Sequence, residues 1–168
     1  MSESVVERGW GPEPLEEFTL FNAAFIALLI NKAAKAWEAR SGSPMPYLAL
    51  WLIIPNALYG PARAALPKSI SADLFGWIHA NPQIRDALPG NTRALRSKVL
   101  AGVRLCISSG SVTSGDGGFR AMPLRRRPLN FRSTDDVTDC LKAAEFLARW
   151  SSDQPDLRTL FALWEVTP

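Results

Sequence analysis

Residues 92–127 read TRALRSKVLAGVRLCISSGSVTSGDGGFRAMPLRRR, a basic helical pattern that runs into a glycine-rich turn. Small and apolar side chains recur every three or four positions, which predicts an α-helix over residues 92–108 with one buried face. That face carries Leu95, Val99, Gly102, Val103 and Cys106. About a third of the circumference on another side, at 3.6 residues per turn, carries Arg93, Arg96, Ser97, Leu100 and Arg104.

The stretch after this helix has the composition of a β-hairpin. Gly117 and Gly118 follow Asp116, a combination that supplies the positive φ angles of a tight turn between two strands. Pro123 and Pro128 then end any regular ladder of hydrogen bonds. The sequence therefore predicts a short exposed hairpin with a cationic exit.

The arginines of this region are the candidate contact residues, and three kinds of contact are open. They are Arg93, Arg96, Arg104, Arg120, Arg125, Arg126 and Arg127. A basic face could neutralise DNA phosphates, but few polar side chains beyond Ser97 could read base edges. The same charges could instead dock on a partner protein, or face water and pair with the chain's own acidic ends.

Charge is strongly segregated along a chain whose net charge is only +3. Residues 91–132 carry nine bases against Asp116 alone, whereas residues 1–17 carry five acids and one base. Residues 133–168 carry seven acids and three bases. This distribution predicts a basic face and an acidic face. Such faces indicate what the protein binds and do not determine its fold.

Length and composition place the chain among ordinary folded proteins. It has 168 residues, 47% of them hydrophobic and 21% charged, enough for one domain with a core. No apolar stretch is as long and clean as a membrane span, and the acidic N-terminus does not resemble a signal peptide. We therefore expect a cytoplasmic protein without membrane contact, with Cys106 and Cys140 reduced.

Helical periodicity dominates the rest of the chain. Residues 18–37 predict a helix with apolar side chains around most of its circumference, and therefore a buried one. Ser41-Gly42-Ser43-Pro44 would end this helix. Residues 46–54 could be a strand or a helix, and their leucine and alanine content favours a helix. Asn81-Pro82 predicts a helix start with a side-chain cap, and Leu88-Pro89-Gly90 predicts its end.

The order of these elements predicts a mainly α-helical fold with a winged helix-turn-helix-like core. The helix over 92–108 would take the recognition position and the hairpin would be the wing. Ser133-Thr134 and the region around Pro155 would begin a C-terminal helical pair. We expect one domain, with an acidic, flexible segment at 1–17, the core at 18–132 and the helical pair at 133–168.

Catalysis finds little support in the sequence. His79, the single histidine, has no Cys, Asp or Glu at metal-ligand spacing, and Cys106 falls on an apolar helix face. No phosphate-binding glycine motif is present. We therefore expect no catalytic, metal or cofactor site and no enzyme activity. Trp10, in the acidic N-terminal segment, is a candidate anchor for a partner.

Several stretches together resemble the middle component of bacterial three-component ABC systems. They are FNAAFIALLINKAAKAW at 21–37, the stretch from Leu50 to Leu88, ALRSKVLAGVRLCISSGSV at 94–112, and residues 140–168. Most of the likeness lies in Asn22-x-Ala-Phe, in Arg-x-x-Leu-Pro at 63–67, and in Trp77 followed by Asn81-Pro82. The resemblance extends over nearly the whole chain after residue 17.

The resemblance implies a small non-catalytic subunit of a defence system against phage or plasmids. Such a subunit would bridge an ABC ATPase, related to the SMC and Rad-type DNA-repair proteins, and a separate effector that is often a nuclease. Contact with double-stranded DNA, without strong sequence preference, stays open. The alternative is a free-standing winged-helix transcription regulator.

Overall fold

The computed structural model describes residues 22–124, 134–154 and 156–165, which are mainly helical. The α-helices in these ranges are α1 (Ala23–Ser41), α2 (Leu50–Leu58), α3 (Gly60–Ala65), α4 (Leu74–Ala80), α5 (Pro82–Ser108), α6 (Asp135–Ser152) and α7 (Leu157–Leu163). The strands are β1 (Met45–Pro46), β2 (Val112–Gly115) and β3 (Gly118–Ala121). No helix within these ranges has the length and apolar character needed to cross a bilayer.

Helix α1 is the centre of the core, as its periodicity predicts. The Asn22 side chain caps its first turn by accepting from the Ala24 amide at 2.9 Å. Gly42, with φ of 73°, ends it in the left-handed conformation that glycine adopts without strain. Ile26, Leu29 and Ile30 are fully buried, so the apolar circumference lies against neighbouring elements on several sides. Residues 18–21 of the predicted helix lie outside the described residues.

Helices α5 and α6 pack on opposite sides of a layer formed by α1 and α2. Each of them packs extensively against both α1 and α2, and much less against the other. The contact of α5 with α1 is close at Gly102, where an added Cβ would lie 2.5 Å from Cγ2 of Ile26. The Cys106 thiol donates to the Ala27 carbonyl at 3.2 Å in the same interface. The outward faces of α5 and α6 therefore point away from each other.

The predicted hairpin is present and gains a third strand. Asp116 and Gly117 have φ of 51° and 77°, the positive values expected of a tight turn between β2 and β3. The two residues of β1 pair antiparallel with β3, giving the order β1-β3-β2. A Cβ at Gly118 would lie 2.5 Å from the Met45 carbonyl oxygen, so this pairing requires glycine there.

Buried Asn31 joins α1 to the base of the hairpin. Its Nδ2 donates to the carbonyls of Ser111 at 2.7 Å and Met122 at 3.0 Å, which flank β2 and β3. The side chain is 3% exposed, so these bonds replace water as partners of a buried amide. The hairpin is thereby fixed to the core and not only to the end of α5.

The segment at 46–54 forms a short strand, a 3₁₀ turn at Tyr47–Ala49 and then α2, so the helix preference is confirmed for its second half. Pro55 neither ends nor interrupts α2. Because Pro55 has no N–H to offer the Trp51 carbonyl, the Thr92 hydroxyl donates to that oxygen at 3.3 Å. A side chain of α5 thus supplies the hydrogen bond that Pro55 cannot make within α2.

The predicted helix end at Leu88-Pro89-Gly90 is wrong, because α5 continues through it for 27 residues. Ile84, Leu88, Leu95 and Val99 are buried along one continuous stripe, and packing of that stripe outweighs the local cost of Pro89. No turn separates a recognition helix from a preceding helix at this point. The winged helix-turn-helix assignment is therefore not confirmed, although the helical class and the hairpin are.

One predicted cap differs in detail, and the C-terminal pair begins as expected. Asp73 caps α4, accepting from the amides of Phe75 and Gly76. The Asn81 amide donates to the Trp77 carbonyl at 2.8 Å instead of capping α5. Thr134 caps α6 by accepting from the Val137 amide at 3.3 Å.

Candidate interaction surfaces

The outward side of α5 is a cationic face interrupted by two apolar residues; we call Arg93, Arg96, Leu100, Arg104 and Ile107 the α5 face. All five are exposed, and the relative accessibility of the residue is 36% for Leu100 and 48% for Ile107. At 1.5 Å per residue, the first and last residues of the α5 face are about 21 Å apart along the helix. No acidic residue occurs between Asp86 and Asp116. The predicted arginine stripe of this helix is therefore accessible as expected.

The charges of the α5 face are not neutralised by the described part of the chain. Within residues 22–124, 134–154 and 156–165, no carboxylate lies within salt-bridge distance of Arg93, Arg96 or Arg104. Arginines cannot lose their charge at physiological pH, so the α5 face is strongly attractive to anionic surfaces.

The hairpin arginine differs from those of α5. Arg120 pairs with Glu38 of α1, an ion pair that stands on the surface and offsets its charge. Arg120 therefore contributes less to the cationic surface than its sequence position predicts. Arg125, Arg126, Arg127 and Trp10, the other candidate contact residues, lie outside the described residues.

A second surface is a cleft between α3 and α6, with a volume of about 650 Å³. We call it the α3–α6 cleft. Its apolar floor contains Leu66, Ala143 and Phe146, and Lys142 and Arg149 stand at its rim together with Asp139. Because α6 lies on the opposite side of the α1–α2 layer from α5, the cleft and the α5 face belong to different sides of the molecule.

Arg63 borders the cleft and holds α2, α3 and α6 together. Its Nη1 donates to the carbonyls of Ala57 at 3.0 Å and Leu58 at 2.9 Å, at the end of α2. Its Nη2 pairs with the Asp136 carboxylate in the first turn of α6. In the sequence Arg63 stands out only as part of the Arg-x-x-Leu-Pro motif, because neither partner can be identified from local spacing.

Three tryptophans form an aromatic cluster near the end of α6. They are Trp77 of α4, Trp150 of α6 and Trp164, which directly follows α7. The Trp77 ring centroid lies 5.5 Å from that of Trp150 and 5.9 Å from that of Trp164. Trp77 Nε1 donates to the Ala65 carbonyl at 2.7 Å, and Trp150 Nε1 donates to the Ala72 carbonyl at 2.9 Å. These contacts fix the segment between α3 and α4, which gives Trp77 a structural role.

His79 and the two cysteines are held in helices by local contacts or burial. His79 is exposed on α4, with Nδ1 2.9 Å from the Phe75 carbonyl oxygen. Burial raises the pKa of the Cys140 thiol to about 11 and also raises the pKa of Cys106, so neither is a thiolate at neutral pH. Among the described residues, no three His, Cys, Asp or Glu side chains are grouped to hold a metal ion.

The described residues define a small helical protein whose accessible chemistry lies in two surfaces on opposite sides of one core. The chain belongs to the family described as ABC-three component (ABC-3C) system Middle Component 3, whose sequence profile matches residues 10–168. The family resemblance found in the sequence is thereby confirmed. Searches of curated proteins and of solved structures find no match to this chain.

Proposed function

We propose that this middle component is a non-catalytic cytoplasmic adaptor that bridges the ABC ATPase and the effector of its system, in defence against phage or plasmids. The observation that carries the proposal is the placement of two different surfaces on opposite sides of the α1–α2 layer. A bridging subunit needs two such surfaces because both partners must bind at once. Membership of a family named as a middle component supports the same role.

The α5 face is best suited to an acidic protein surface. Its arginines supply charge and bidentate donors for carboxylates, while Leu100 and Ile107 offer hydrocarbon contacts that a phosphate backbone cannot use. Arginine with exposed aliphatic residues is a composition typical of protein interfaces. The α5 face would therefore dock on one component of the system, and the α3–α6 cleft on the other.

The proposal is tested by co-expression with an ABC ATPase and an effector from the same three-component system, followed by co-purification. Substituting Arg93, Arg96 and Arg104 by alanine should remove one partner and leave the other bound. A matched control substitutes Lys35, Lys68 and Arg158, three exposed cations away from the α5 face, and should retain both partners. Retention of both partners by the first variant would contradict the assignment of this surface.

Contact with duplex DNA is the second candidate, supported by the absence of acidic residues between Asp86 and Asp116, a range that includes the whole α5 face. DNA binding through the α5 face would weaken steeply with salt, because each neutralised phosphate releases counterions. The alanine variant would then flatten the salt slope by up to about three phosphate contacts and leave assembly intact. A lone gene opposite a divergent promoter would favour the transcription regulator instead.

A further inference from the structure

Both walls of the α3–α6 cleft are α-helices, and this restricts the backbone of whatever binds there. On the α6 wall the lining residues recur every three or four positions between Asp139 and Arg149, which is one continuous helix face. The backbone groups inside a helix are bonded within that helix, so neither wall offers a strand edge for an extended segment to join. A segment that buries its backbone in the cleft must satisfy its own hydrogen bonds, and an α-helix does so.

The floor of the cleft is apolar and only partly covered. Leu66 and Phe146 are half-buried, so part of their apolar surface still lines the cleft. Ala143, one turn before Phe146 on α6, is small, which lets a facing side chain approach the helix closely. A volume of about 650 Å³ accommodates several aliphatic or aromatic side chains. The floor therefore suits the apolar stripe of an amphipathic helix.

The rim of the cleft selects the charge of that helix. Lys142 and Arg149 are exposed and seven positions apart, so they stand on one side of α6, about 10.5 Å apart along its axis. Among the residues whose structure is described, no carboxylate lies within salt-bridge distance of either cation. Asp139, the one acid in the lining, lies one turn before Lys142, and Glu145 is not part of the lining. The two cations therefore attract carboxylates that stand about two helical turns apart.

The same charges disfavour a second copy of this chain as the occupant. The α5 face of another copy would bring its arginines against Lys142 and Arg149, and like charges brought together at an interface are repelled. A symmetric contact between two clefts would also place these cations opposite each other. Charge complementarity is left to an acidic partner.

We infer that the α3–α6 cleft binds an acidic amphipathic α-helix of a partner protein. Apolar side chains of that helix cover Leu66 and Phe146, and its carboxylates pair with Lys142 and Arg149. The inference rests on the proposed function in one respect, because it identifies the partner as the component that the α5 face does not bind. It adds the chemistry by which that component is recognised.

The inference is tested by titrating the ABC ATPase and the effector of the system, each alone, into the full chain. Lys142→Glu together with Arg149→Glu should weaken the binding of one component roughly 10–100-fold, because like charges then meet. Ala64→Trp, at an exposed position of the α3 wall, should weaken the same component by filling the cleft without a change of charge. Lys35→Glu together with Arg158→Glu, two exposed cations outside the cleft lining, is the matched control and should bind both components normally. Normal binding of both components by K142E/R149E would overturn the inference.

The occupant is identified by a photoreactive benzoylphenylalanine introduced at Ala64 in the assembled complex. We expect the cross-linked peptide to come from the component that K142E/R149E binds weakly. It should carry apolar residues at helical spacing with carboxylates beside them. Cross-linking to a second copy of this chain, to another part of the same chain, or to a basic segment would overturn the inference.

Failure of the inference is distinguishable from failure of the proposed function. If R93A/R96A/R104A and K142E/R149E both weaken the same component, bridging by two surfaces fails while the docking of an acidic helix in the cleft stands. If R93A/R96A/R104A loses one component and K142E/R149E loses neither, the assignment of the α5 face stands and the inference about the cleft is overturned.

Discussion

Arg63 and Asp136, which are distant in sequence, form an ion pair that joins the end of α2 to the beginning of α6. The guanidinium is the more important of the two groups, because it also donates to the last carbonyls of α2 and its side chain is only 15% exposed. The carboxylate is half-exposed and has water as an alternative partner.

Substitution at Arg63 should therefore cost much more stability than substitution at Asp136. Arg63→Ala leaves two carbonyls without a charged donor and should lower the free energy of unfolding by about 2–4 kcal/mol. Asp136→Asn removes only a surface ion pair and should cost about 0–1 kcal/mol. Urea denaturation of both variants checks this, and equal losses would show that the ion pair itself dominates.

The crossing of α1 and α5 should not tolerate a methyl group at Gly102. Gly102→Ala places a Cβ against the Ile26 side chain and should destabilise the protein by about 1–3 kcal/mol. Gly90→Ala, in the same helix with open space around it, should stabilise by about 0.5–1 kcal/mol. Thermal unfolding of the two variants makes the comparison, and a shift in the same direction for both would refute the packing argument.

The hairpin should loosen when Asn31 is removed. Asn31→Ala leaves the Ser111 and Met122 carbonyls without their donor, at a cost of about 1–3 kcal/mol. Amide exchange should accelerate first at Met122, whose N–H donates to Ser111. Thr113→Ala, on the exposed side of β2, is the control and should leave exchange nearly unchanged. Uniform acceleration across α1 and α5 would instead indicate global destabilisation.

Stability should fall at alkaline pH through Cys140. Its pKa is raised by burial from 9.0 in the unfolded chain to about 11 in the folded one. Below pH 9 the thiol is protonated in both states and has no effect on pH dependence. Between pH 9 and 11 only the unfolded chain ionises, so stability should fall by about 1.4 kcal/mol per pH unit. The urea midpoint of the Cys140→Ala variant should fall less steeply with pH over this range than that of the native chain. Equal pH dependence of the two midpoints would show that ionisation of Cys140 is not the cause.

The features that could be predicted from the sequence are those that depend on local chemistry. The turn at Asp116-Gly117, the end of α1 at Gly42 and the exposed arginines of α5 follow from conformational preference and helical spacing. Membership of the family was likewise visible in the apolar motifs. Trp10 and the arginines at 125–127 remain predictions.

The features that escaped prediction depend on contacts between distant residues. Pro89 and Gly90 are strong local breakers, but burial of Leu88 and Leu95 carries α5 through them. The pairing of β1 with β3 depends on the approach of Met45 to Gly118, 73 positions later in the chain. The α3–α6 cleft and the role of Arg63 likewise arise only when α6 is in place.

The continuity of α5 has a mechanical consequence. Its 27 residues form one rod of about 40 Å that starts beside α4 and ends at the hairpin. A helix-turn-helix of the same length would be divided by a turn in the middle, whereas α5 is continuous through Pro89 and Gly90. Under the proposed function, a displacement of α5 by a partner bound at Arg93 would therefore reach the hairpin at its far end without passing through a connecting turn.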